Sequence, residues 1–509
     1  MEPAMLGVDI GTSGVKGVLV TPKGDVLGTV SCTHTTNMPA PGLAEHDPEQ
    51  MWWSGFVRVV RELISESGID PKSIAGVGCS GIGPCLLPVD DSGRPLRQAI
   101  LYGIDGRAHE EIAALGARLG PGEALTITAN PITTQSLLPK AMWVRDHEPD
   151  VYAKTHLFVD APGYLAFRLT GQPSADLFTA NAAGFIDVEQ QRKSRRMFDA
   201  AEIDPRLFPE PVWPATVVGH VTREAAHASG LAPGTPVVAG TCDAAAECLG
   251  AGMTDEGEAC LIYGTTAVIL GCSNNPRVHS KLFGGAYCLD GRYILGGATA
   301  AAGALTTWYL DNFGAEARKL AAESGVSAYE ALYMDAERVP PGSDGLVILP
   351  YFSGARTPVN DERARGVILG LMLQHTGRHL YRALLESVGY EIRHHIDAMG
   401  EAGVVPRTIR AVGGGTRNPL WTQAMSDITG LEQVCVSNPV GAPLGAAYLA
   451  ALGTGLVDGV DALRRRWVGT DRVVRPDDSR KSVYDTLYGV YRRAYPATAD
   501  LGHTLAGMA

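Results

Sequence analysis

The sequence has no excess of positive charge. Its 43 lysines and arginines are outnumbered by 55 aspartates and glutamates, and the formal net charge is −12. Proteins that bind nucleic acid or an anionic membrane surface in a general way need a basic face, so both classes are disfavoured. A local basic pocket for an anionic cofactor is still compatible with this balance.

Paired cysteines and long apolar runs are also missing. The nine cysteines are an odd number and include no C-x-x-C pair, which disfavours a disulfide framework and favours reduced thiols in a cytoplasm. No stretch approaches the roughly 18 unbroken apolar residues of a membrane span. The start, MEPAMLGVDIG, lacks the basic and apolar regions of a signal peptide. We therefore expect a cytoplasmic protein with no membrane partner and no nucleic-acid partner.

Several catalytic signatures are absent as well. The chain has no H-E-x-x-H, no Cys/His zinc spacing and no G-x-S-x-G. Residues 76–81 match G-x-G-x-x-G, but dinucleotide binding requires a helix directly after the glycines. Pro84 and Pro88 follow instead. A pyridine-nucleotide dehydrogenase is therefore disfavoured.

What is present begins with an apolar strand, a loop and a second apolar strand. Residues 7–20 read GVDIGTSGVKGVLV, so one carboxylate, Asp9, precedes Gly11, Thr12 and Ser13. A lone carboxylate in a buried strand is costly without a reason. Glycine lets the backbone approach a ligand, and successive turn N–H groups can bind an anion. Taken alone, the stretch fits either a plain hairpin or a loop that faces phosphates.

The same pattern recurs near the middle of the chain. Residues 258–272 read EACLIYGTTAVILGC, and Gly264 precedes Thr265 and Thr266 as Gly11 precedes its own hydroxyl residues, 253 positions earlier. A single core rarely exceeds about 250–300 residues. We therefore predict a duplicated α/β architecture of two domains, with two Gly-Thr loops facing each other across a cleft.

Two further segments place polar groups where a strand meets a helix. In residues 237–252, VVAGTCDAAAECLGAG, the apolar run ends at Asp243. This aspartate fits a helix N-cap or a general base kept ionised by the helix dipole, with Glu247 as a second candidate. In residues 408–430, TIRAVGGGTRNPLWTQAMSDITG, Asn418 is a predicted N-cap, Pro419 fits the first turn and Gly430 the end. The three glycines before this helix, residues 413–415, fit two interpretations. They leave room for a flat or charged ligand against the exposed N–H groups of the helix, or they form only a tight turn between strand and helix.

These motifs resemble the FGGY family of carbohydrate kinases, within the superfamily of sugar kinases, actin and ATPase chaperones. The resemblance covers almost the whole chain and lies in six motifs in the family's order. They are DIGTS from Asp9, SLLPKAMWVRDHEP with Lys140 and Trp143, AGTCD ending at Asp243, IYGTT ending at Thr266, PYFSGARTP and ARGVILGL followed by Glu386, and GGGTRN ending at Asn418.

The resemblance implies two ribonuclease-H-like domains of the actin and sugar-kinase type, which close over ATP and a sugar. Residues 1–252 would bind sugar and phosphate, and residues 253–509 would bind adenosine. Asp243 would be the base that takes the proton of the sugar hydroxyl, and Asp9 would organise Mg²⁺. The expected ATP-binding residues are Gly11, Thr12, Ser13, Lys16, Gly264, Thr265, Thr266, Gly414, Gly415 and Asn418.

The sugar is less clearly indicated. Xylulose kinases of the family end the corresponding strand in Ser-Gly-Gln-Met-His-Gly, whereas Gly83 and Pro84 replace the Met-His pair in this chain. Asp105 and Arg107 match the family's Asp-Gly-Arg, although a surface ion pair would also explain them. D-xylulose is the leading substrate, with another ketose or a polyol as the alternative. An ATP-driven conformational protein of the actin or chaperone type is the alternative function class. For the oligomeric state, a homodimer is left open.

Overall fold

The computed structural model describes residues 2–437 and 440–508, which form two compact units. The first unit comprises residues 2–255, Ser273–Ile294 and Val440–Gly469, and the second comprises Glu256–Cys272, 295–437 and 470–508. Two segments beyond residue 253 therefore lie in the first unit. The division of the chain at residue 252 stays a prediction.

Strands and helices are interspersed along the chain. The strands are β1 Ala4–Ile10, β2 Gly14–Val20, β3 Val26–Thr33, β4 Glu45–His46, β5 Ile74–Gly81, β6 Leu87–Val89, β7 Ala99–Ile100, β8 Leu157–Val159, β9 Ala175–Asp176, β10 Ile186–Asp187, β11 Arg192–Lys193, β12 Pro211–Val212, β13 Val217–His220, β14 Pro236–Val238, β15 Thr241–Cys242, β16 Glu258–Tyr263, β17 Ala267–Ser273, β18 Phe283–Ala286, β19 Tyr293–Ala298, β20 Val347–Leu349, β21 Val367–Leu369, β22 Thr408–Val412, β23 Glu432–Val436 and β24 Thr470–Val474.

The helices complete an α/β architecture, as predicted. They are α1 Ser54–Ser67, α2 His109–Leu119, α3 Glu123–Thr128, α4 Leu137–His147, α5 Pro149–Lys154, α6 Ala161–Thr170, α7 Leu177–Ala182, α8 Arg195–Ala201, α9 Arg223–Ser229, α10 Asp243–Gly250, α11 Gly303–Phe313, α12 Ala315–Ser324, α13 Ala328–Ala336, α14 Gly377–Glu401, α15 Pro419–Thr429, α16 Ala442–Gly453 and α17 Lys481–Ala506. No helix within residues 2–437 and 440–508 is long and apolar enough to cross a membrane.

The main sheet of the first unit has the order β13–β14–β5–β1–β2–β3. Strand β1 is buried along its whole length, pairs antiparallel with β2 and runs parallel to β5. This register places Asp9 opposite Lys16 on one side and opposite Ser80 on the other. The carboxylate of β1 therefore lies between a basic and a hydroxyl side chain of its neighbouring strands.

A helix of small residues packs directly on this sheet. A Cβ atom at Gly7 of β1 would lie 1.9 Å from the backbone oxygen of Pro443 in α16. A Cβ atom at Gly78 would lie 2.0 Å from the backbone oxygen of Ala446. Because only glycine permits such close approach, the packing of α16 explains the glycines at positions 7 and 78. As predicted, that G-x-G-x-x-G pattern opens no helix and lies within β5.

The sheet of the second unit repeats the order of strand types seen in the first. Its strands run β19–β17–β16–β22–β23–β24. Strand β16 pairs antiparallel with β17 and parallel with β22, and β22 runs parallel to β23. In the first unit, β1 pairs antiparallel with β2 and parallel with β5, and β5 runs parallel to β14. Each antiparallel hairpin carries one Gly-Thr loop, which supports the duplication read from the sequence.

Candidate active site

The first Gly-Thr loop, residues 11–13, joins β1 to β2. The N–H of Gly11 donates to the carbonyl of Gly14 at 2.8 Å and closes the turn. The segment after β3 holds the loop carbonyls. His34 Nε2 donates to the Gly11 oxygen at 3.1 Å and Thr36 Oγ1 donates to the Thr12 oxygen at 3.0 Å. The backbone N–H of His34 donates to the third loop carbonyl at 3.0 Å.

This anchoring decides where the loop amides point. In a planar trans peptide the C=O and the following N–H point in opposite directions. Fixing the carbonyls of Gly11 and Thr12 therefore aims the N–H groups of Thr12 and Ser13 away from the β3 segment. Within the part of the chain that the structure describes, neither N–H donates to a protein acceptor. Two adjacent unpaired amide donors form the kind of concave nest that binds anions.

The second Gly-Thr loop, residues 264–266, reaches the same arrangement by another route. Gly264 donates its N–H to the Thr266 carbonyl at 3.0 Å. The carbonyls of Gly264 and Thr265 accept from the backbone N–H groups of Gly303 and Ala302, at 3.0 and 2.9 Å, where α11 begins. By the same peptide geometry the N–H groups of Thr265 and Thr266 point away from the start of α11. Among residues 2–437 and 440–508 they too have no protein acceptor.

Asp9 is a buried carboxylate at the end of β1. It is 8% exposed, and one of its oxygens accepts from Ser80 Oγ at 2.8 Å. Burial, together with the negative charge of Asp243, raises the pKa of Asp9 to about 7. Lys16 acts in the opposite direction and lowers this pKa. A carboxylate in such surroundings gains from a cation, so the residues present fit a magnesium site.

Asp243 begins helix α10 and lies in the same unit. Cys242 is the N-cap residue and Asp243 is the first helical residue. Asp243 Oδ1 accepts from the N–H of Ala244 at 2.7 Å and from Cys242 Sγ at 3.1 Å. In the described chain, Oδ2 accepts no hydrogen bond. Burial raises the pKa of Asp243, which brings this carboxylate closer to the range of a useful proton acceptor.

Glu247 follows one turn later on α10. Burial first, and the charge of Asp243 second, raise the pKa of Glu247 to about 7, while Lys16 lowers it. Asp9, Asp243 and Glu247 are thus three acidic groups that act on one another. No set of three His, Cys, Asp or Glu side chains in residues 2–437 and 440–508 is close enough to hold a metal by itself. Mg²⁺ commonly needs only one or two carboxylates, because water and substrate phosphates complete its shell.

Of the residues predicted to read the sugar, Gly83 contacts Cys242, the residue before the candidate base. A Cβ atom at Gly83 would lie 3.3 Å from Thr179 Cγ2 and 3.5 Å from Cys242 Sγ. Cys242 directly precedes Asp243, so the end of β5 and the start of α10 meet here. The neighbouring Pro84 is buried.

Asp105 and Arg107 form a buried pair instead of a surface pair. Arg107 Nε and Nη2 donate to the two Asp105 oxygens at 2.9 and 2.8 Å. The N–H of Ala44 donates to the same carboxylate at 2.7 Å. Burial alone would raise the pKa of Asp105, but these donors hold it below its ordinary value. The guanidinium lies 4.9 Å from the centre of the Trp143 ring, so the family-signature tryptophan packs on this pair.

The predicted adenosine motif lies in the second unit. A 3-10 turn, Gly414–Arg417, joins β22 to α15. The side chain of Asn418 accepts from the N–H of Trp421 at 3.1 Å, which confirms the predicted N-cap, and Gly430 ends the helix in a left-handed conformation. Nothing lies within 4 Å of a Cβ atom built at Gly414, whereas one built at Gly415 would meet Trp421.

Sequence reasoning missed a second layer of residues around the first loop. Tyr102 Oη lies 3.1 Å from Thr12 Oγ1. Lys140, which the sequence offered only as a signature residue, is fully buried and donates to the carbonyls of Leu101 and Tyr102. Burial lowers the pKa of Lys140 to about 8. The only sequence signal was the family-signature segment that contains Lys140.

Comparisons with known proteins cover nearly the whole chain. The model of the FGGY carbohydrate kinase N-terminal domain matches residues 4–250, and that of the C-terminal domain matches residues 259–454. The solved xylulose kinase of Rhodospirillum rubrum is 34% identical with a TM-score of 0.89, over 98% of this chain and 100% of that chain. The xylulose kinase of Escherichia coli (strain K12) is 31% identical over 493 residues, 96% of this chain and 98% of that protein. The xylulose kinase of Lactococcus lactis subsp. lactis (strain IL1403) is 30% identical over 506 residues, 98% of each chain.

Proposed function

We propose that this chain, which belongs to the FGGY family of carbohydrate kinases and is an ATP-dependent sugar kinase, phosphorylates a ketopentose, with D-xylulose as the first candidate. The predicted fold class, two domains of the actin and sugar-kinase type, is confirmed by the family and the structural likeness. The choice of sugar is supported by the relatives named xylulose kinase, which align over nearly their whole length. An ATP-driven conformational protein has no comparable support.

The position of Asp243 is the observation that carries the proposed mechanism. Its Oδ1 is held by the Ala244 N–H, while Oδ2 has no donor within the described residues. One oxygen therefore orients the carboxylate and the other can accept a proton. Burial raises the pKa of Asp243, so it can take the proton of a sugar hydroxyl as the hydroxyl oxygen attacks the γ-phosphorus of ATP and ADP leaves. Gly83 packs against Thr179 and against Cys242, the residue before this group, so closely that a Cβ atom at Gly83 would be crowded.

The two Gly-Thr loops are proposed to hold the phosphates of ATP. Each loop offers two adjacent amide donors whose preceding carbonyls are already occupied. Donors held in advance cost little to reorganise when charge moves during phosphoryl transfer. Lys16 adds a positive charge to the first of these loops. In the second unit, Gly414, Gly415 and Asn418 are proposed to receive the adenosine.

Mg²⁺ is proposed as the metal that accompanies ATP. Asp9 is the residue assigned to it, directly or through water, and its carboxylate has one oxygen held by Ser80. When bound, Mg²⁺ would neutralise charge on the phosphates. This chain's own contribution is to keep a carboxylate fixed at the end of β1, beside the first loop.

The identity of the sugar substrate has a second candidate, which the residues at the predicted sugar site favour. Gly83 and the buried Pro84 offer no side-chain donor where xylulose kinases have Met-His, and Asp105 already accepts hydrogen bonds from Arg107 and Ala44. A different ketose or a polyol is therefore the second candidate. Asp105 and Arg107 would then shape the sugar site by holding their loop.

The compartment and the oligomeric state complete the proposal. All nine cysteines are free thiols, which supports a reducing cytoplasm as the place of reaction. A homodimer stays a prediction, and light scattering of the purified chain would measure its mass.

The deciding experiment is an ADP-release assay of the full chain with Mg·ATP and a panel of pentuloses, hexuloses and polyols. We expect ADP release to depend on one sugar, D-xylulose first, and to fall about 10²- to 10⁴-fold in Asp243→Asn. Asp150→Asn, at an exposed position of α5, is the matched control and should keep wild-type turnover. No sugar-dependent release would refute the proposed substrate class. Wild-type turnover in Asp243→Asn would refute the assigned base.

A further inference from the structure

We propose that Trp52, His46 and Thr36 form a directed hydrogen-bond relay that positions the first Gly-Thr loop for nucleotide binding. Trp52 Nε1 donates to His46 Nδ1 at 3.0 Å, His46 Nε2 lies 3.0 Å from Thr36 Oγ1, and Thr36 Oγ1 donates to the Thr12 carbonyl at 3.0 Å. The inference deepens the proposed function, on which it rests. It assigns positioning residues that contact neither the sugar nor the reacting atoms.

The direction of the relay follows from donor and acceptor chemistry. An indole N–H can only donate, so His46 Nδ1 must be the acceptor and His46 must carry its proton on Nε2. That Nε2–H then donates to Thr36 Oγ1, which leaves the threonine hydrogen for Thr12. A backbone carbonyl can only accept, so the relay ends there. Every hydrogen from the indole to the loop is thereby placed.

Burial keeps this arrangement in one protonation state. Trp52 and His46 are both completely buried. Burial, with a smaller contribution from His34, lowers the pKa of His46 to about 4, so the imidazole is neutral under ordinary assay conditions. The indole ring of Trp52 also packs edge-on against Tyr164, with ring centres 5.9 Å apart. The start of the relay is therefore fixed by the core of the first unit.

The end of the relay acts on one amide. Because the Thr12 carbonyl and the Ser13 N–H belong to one peptide plane, holding the carbonyl aims the N–H in the opposite direction. In the second loop the corresponding carbonyl, that of Thr265, accepts from the backbone N–H groups of Ala302 and Ala304 at the start of α11. In the first loop the Thr12 carbonyl accepts from a side-chain hydroxyl instead, so a single substitution at Thr36 can release this peptide plane.

The test compares three variants of the full chain. Thr36→Val removes the donor with little change of shape, Thr36→Ser restores it, and Thr155→Val removes a comparable hydroxyl whose bond goes to the carbonyl of Val151. Binding of Mg·ATP is measured by calorimetry without sugar, and KM for D-xylulose and the thermal midpoint are measured alongside. We expect Thr36→Val to weaken Mg·ATP binding about tenfold, the equivalent of one hydrogen bond. KM for D-xylulose should stay near wild type, as should Mg·ATP binding in Thr36→Ser and Thr155→Val. The midpoint of Thr36→Val should fall by only a few degrees, because His46 Nε2 and the Thr12 carbonyl each lose a partner.

Other outcomes overturn the relay or the function separately. Wild-type Mg·ATP affinity in Thr36→Val, or a lower thermal midpoint that accounts for its loss, refutes the positioning role. A wild-type chain that binds Mg·ATP but leaves D-xylulose unphosphorylated refutes the proposed sugar, and the affinity comparison still tests the relay. Nitrogen NMR of ¹⁵N-histidine-labelled protein provides a second readout. Finding the proton of His46 on Nδ1 would refute the stated direction.

Discussion

Glu386, which follows the ARGVILGL motif, is a buried acid of the second unit. Its replacement by glutamine tests how much a buried ion pair contributes to the stability of that unit. Glu386 lies on α14 and is 1% exposed. Its Oε1 accepts from the Gly342 N–H at 3.0 Å, Arg382 Nε at 2.8 Å and Tyr484 Oη at 2.9 Å. Its Oε2 accepts from Ser343 Oγ at 2.9 Å. One carboxylate thus joins α14 to α17 and to the turn that precedes β20.

The magnitude of the effect follows from what glutamine leaves behind. Glu386→Gln keeps the shape of the side chain but removes the charge that compensates Arg382, which is itself only 4% exposed. Breaking one partner of a buried ion pair typically costs about 3–5 kcal/mol. The glutamine NH₂ group would also face a hydrogen-bond donor, because every partner of the Glu386 carboxylate donates to it. We expect the free energy of unfolding to fall by about 3–5 kcal/mol, a large part of the roughly 5–15 kcal/mol of a typical domain.

Urea-induced unfolding followed by circular dichroism measures this loss, and hydrogen exchange of α14 peptides locates it. Glu323→Gln, at an exposed position of α12, is the control and should change the unfolding free energy by less than about 0.5 kcal/mol. Combining Glu386→Gln with Arg382→Met removes the unpaired charge, so the double variant should be at least about 1 kcal/mol more stable than the single one. A single-variant loss below about 1 kcal/mol would show that the pair contributes no more than a surface bridge.

The remaining predictions concern Lys140 and Gly445 of the first unit. The pKa of Lys140 falls from 10.5 to about 8 on burial, so above pH 8 the unfolded chain binds more protons than the folded one. The unfolding free energy of the wild type should therefore rise relative to Lys140→Met between pH 8 and 10.5, by about 3 kcal/mol in total; a difference that stays flat in urea titrations across this range contradicts the assignment. Gly445→Ala would place a Cβ atom 1.9 Å from the backbone oxygen of Ala246 and should lower the thermal midpoint steeply or prevent folding. Gly400→Ala, whose Cβ would meet nothing within 4 Å in a helix, should leave the midpoint unchanged or raise it, and similar midpoints for both variants would refute the packing argument.

Features encoded by neighbouring residues could be predicted from the sequence. The strand, Gly-Thr loop and strand of residues 4–20 and of residues 258–273 are visible because alternation of apolar runs and glycine is local. The start and end of α15 were predicted from Asn418, Pro419 and Gly430, because caps depend on the helix's own termini.

Features made by residues far apart in the chain could not be predicted in this way. The buried bidentate pair of Asp105 and Arg107 looked equally like a surface pair, because burial depends on what packs over it. The placement of α16 in the first unit depends on glycines of β1 and β5 that lie more than 350 residues earlier. No pattern in the sequence linked Trp52, His46 and Thr36 to the first loop.

The sequence by itself determined the two Gly-Thr hairpins, the acid that precedes the first loop and the acid at the strand–helix junction. These features depend only on residues that are neighbours in the chain, because glycine and hydroxyl residues form turns with their own or the adjacent backbone. Only the tertiary structure decided which way the loop amides point. Their direction depends on hydrogen bonds to the loop carbonyls from partners far along the chain, His34 and Thr36 for the first loop and the start of α11 for the second. Orientation of a peptide plane is a property of its surroundings, whereas the ability to turn there is a property of the residue.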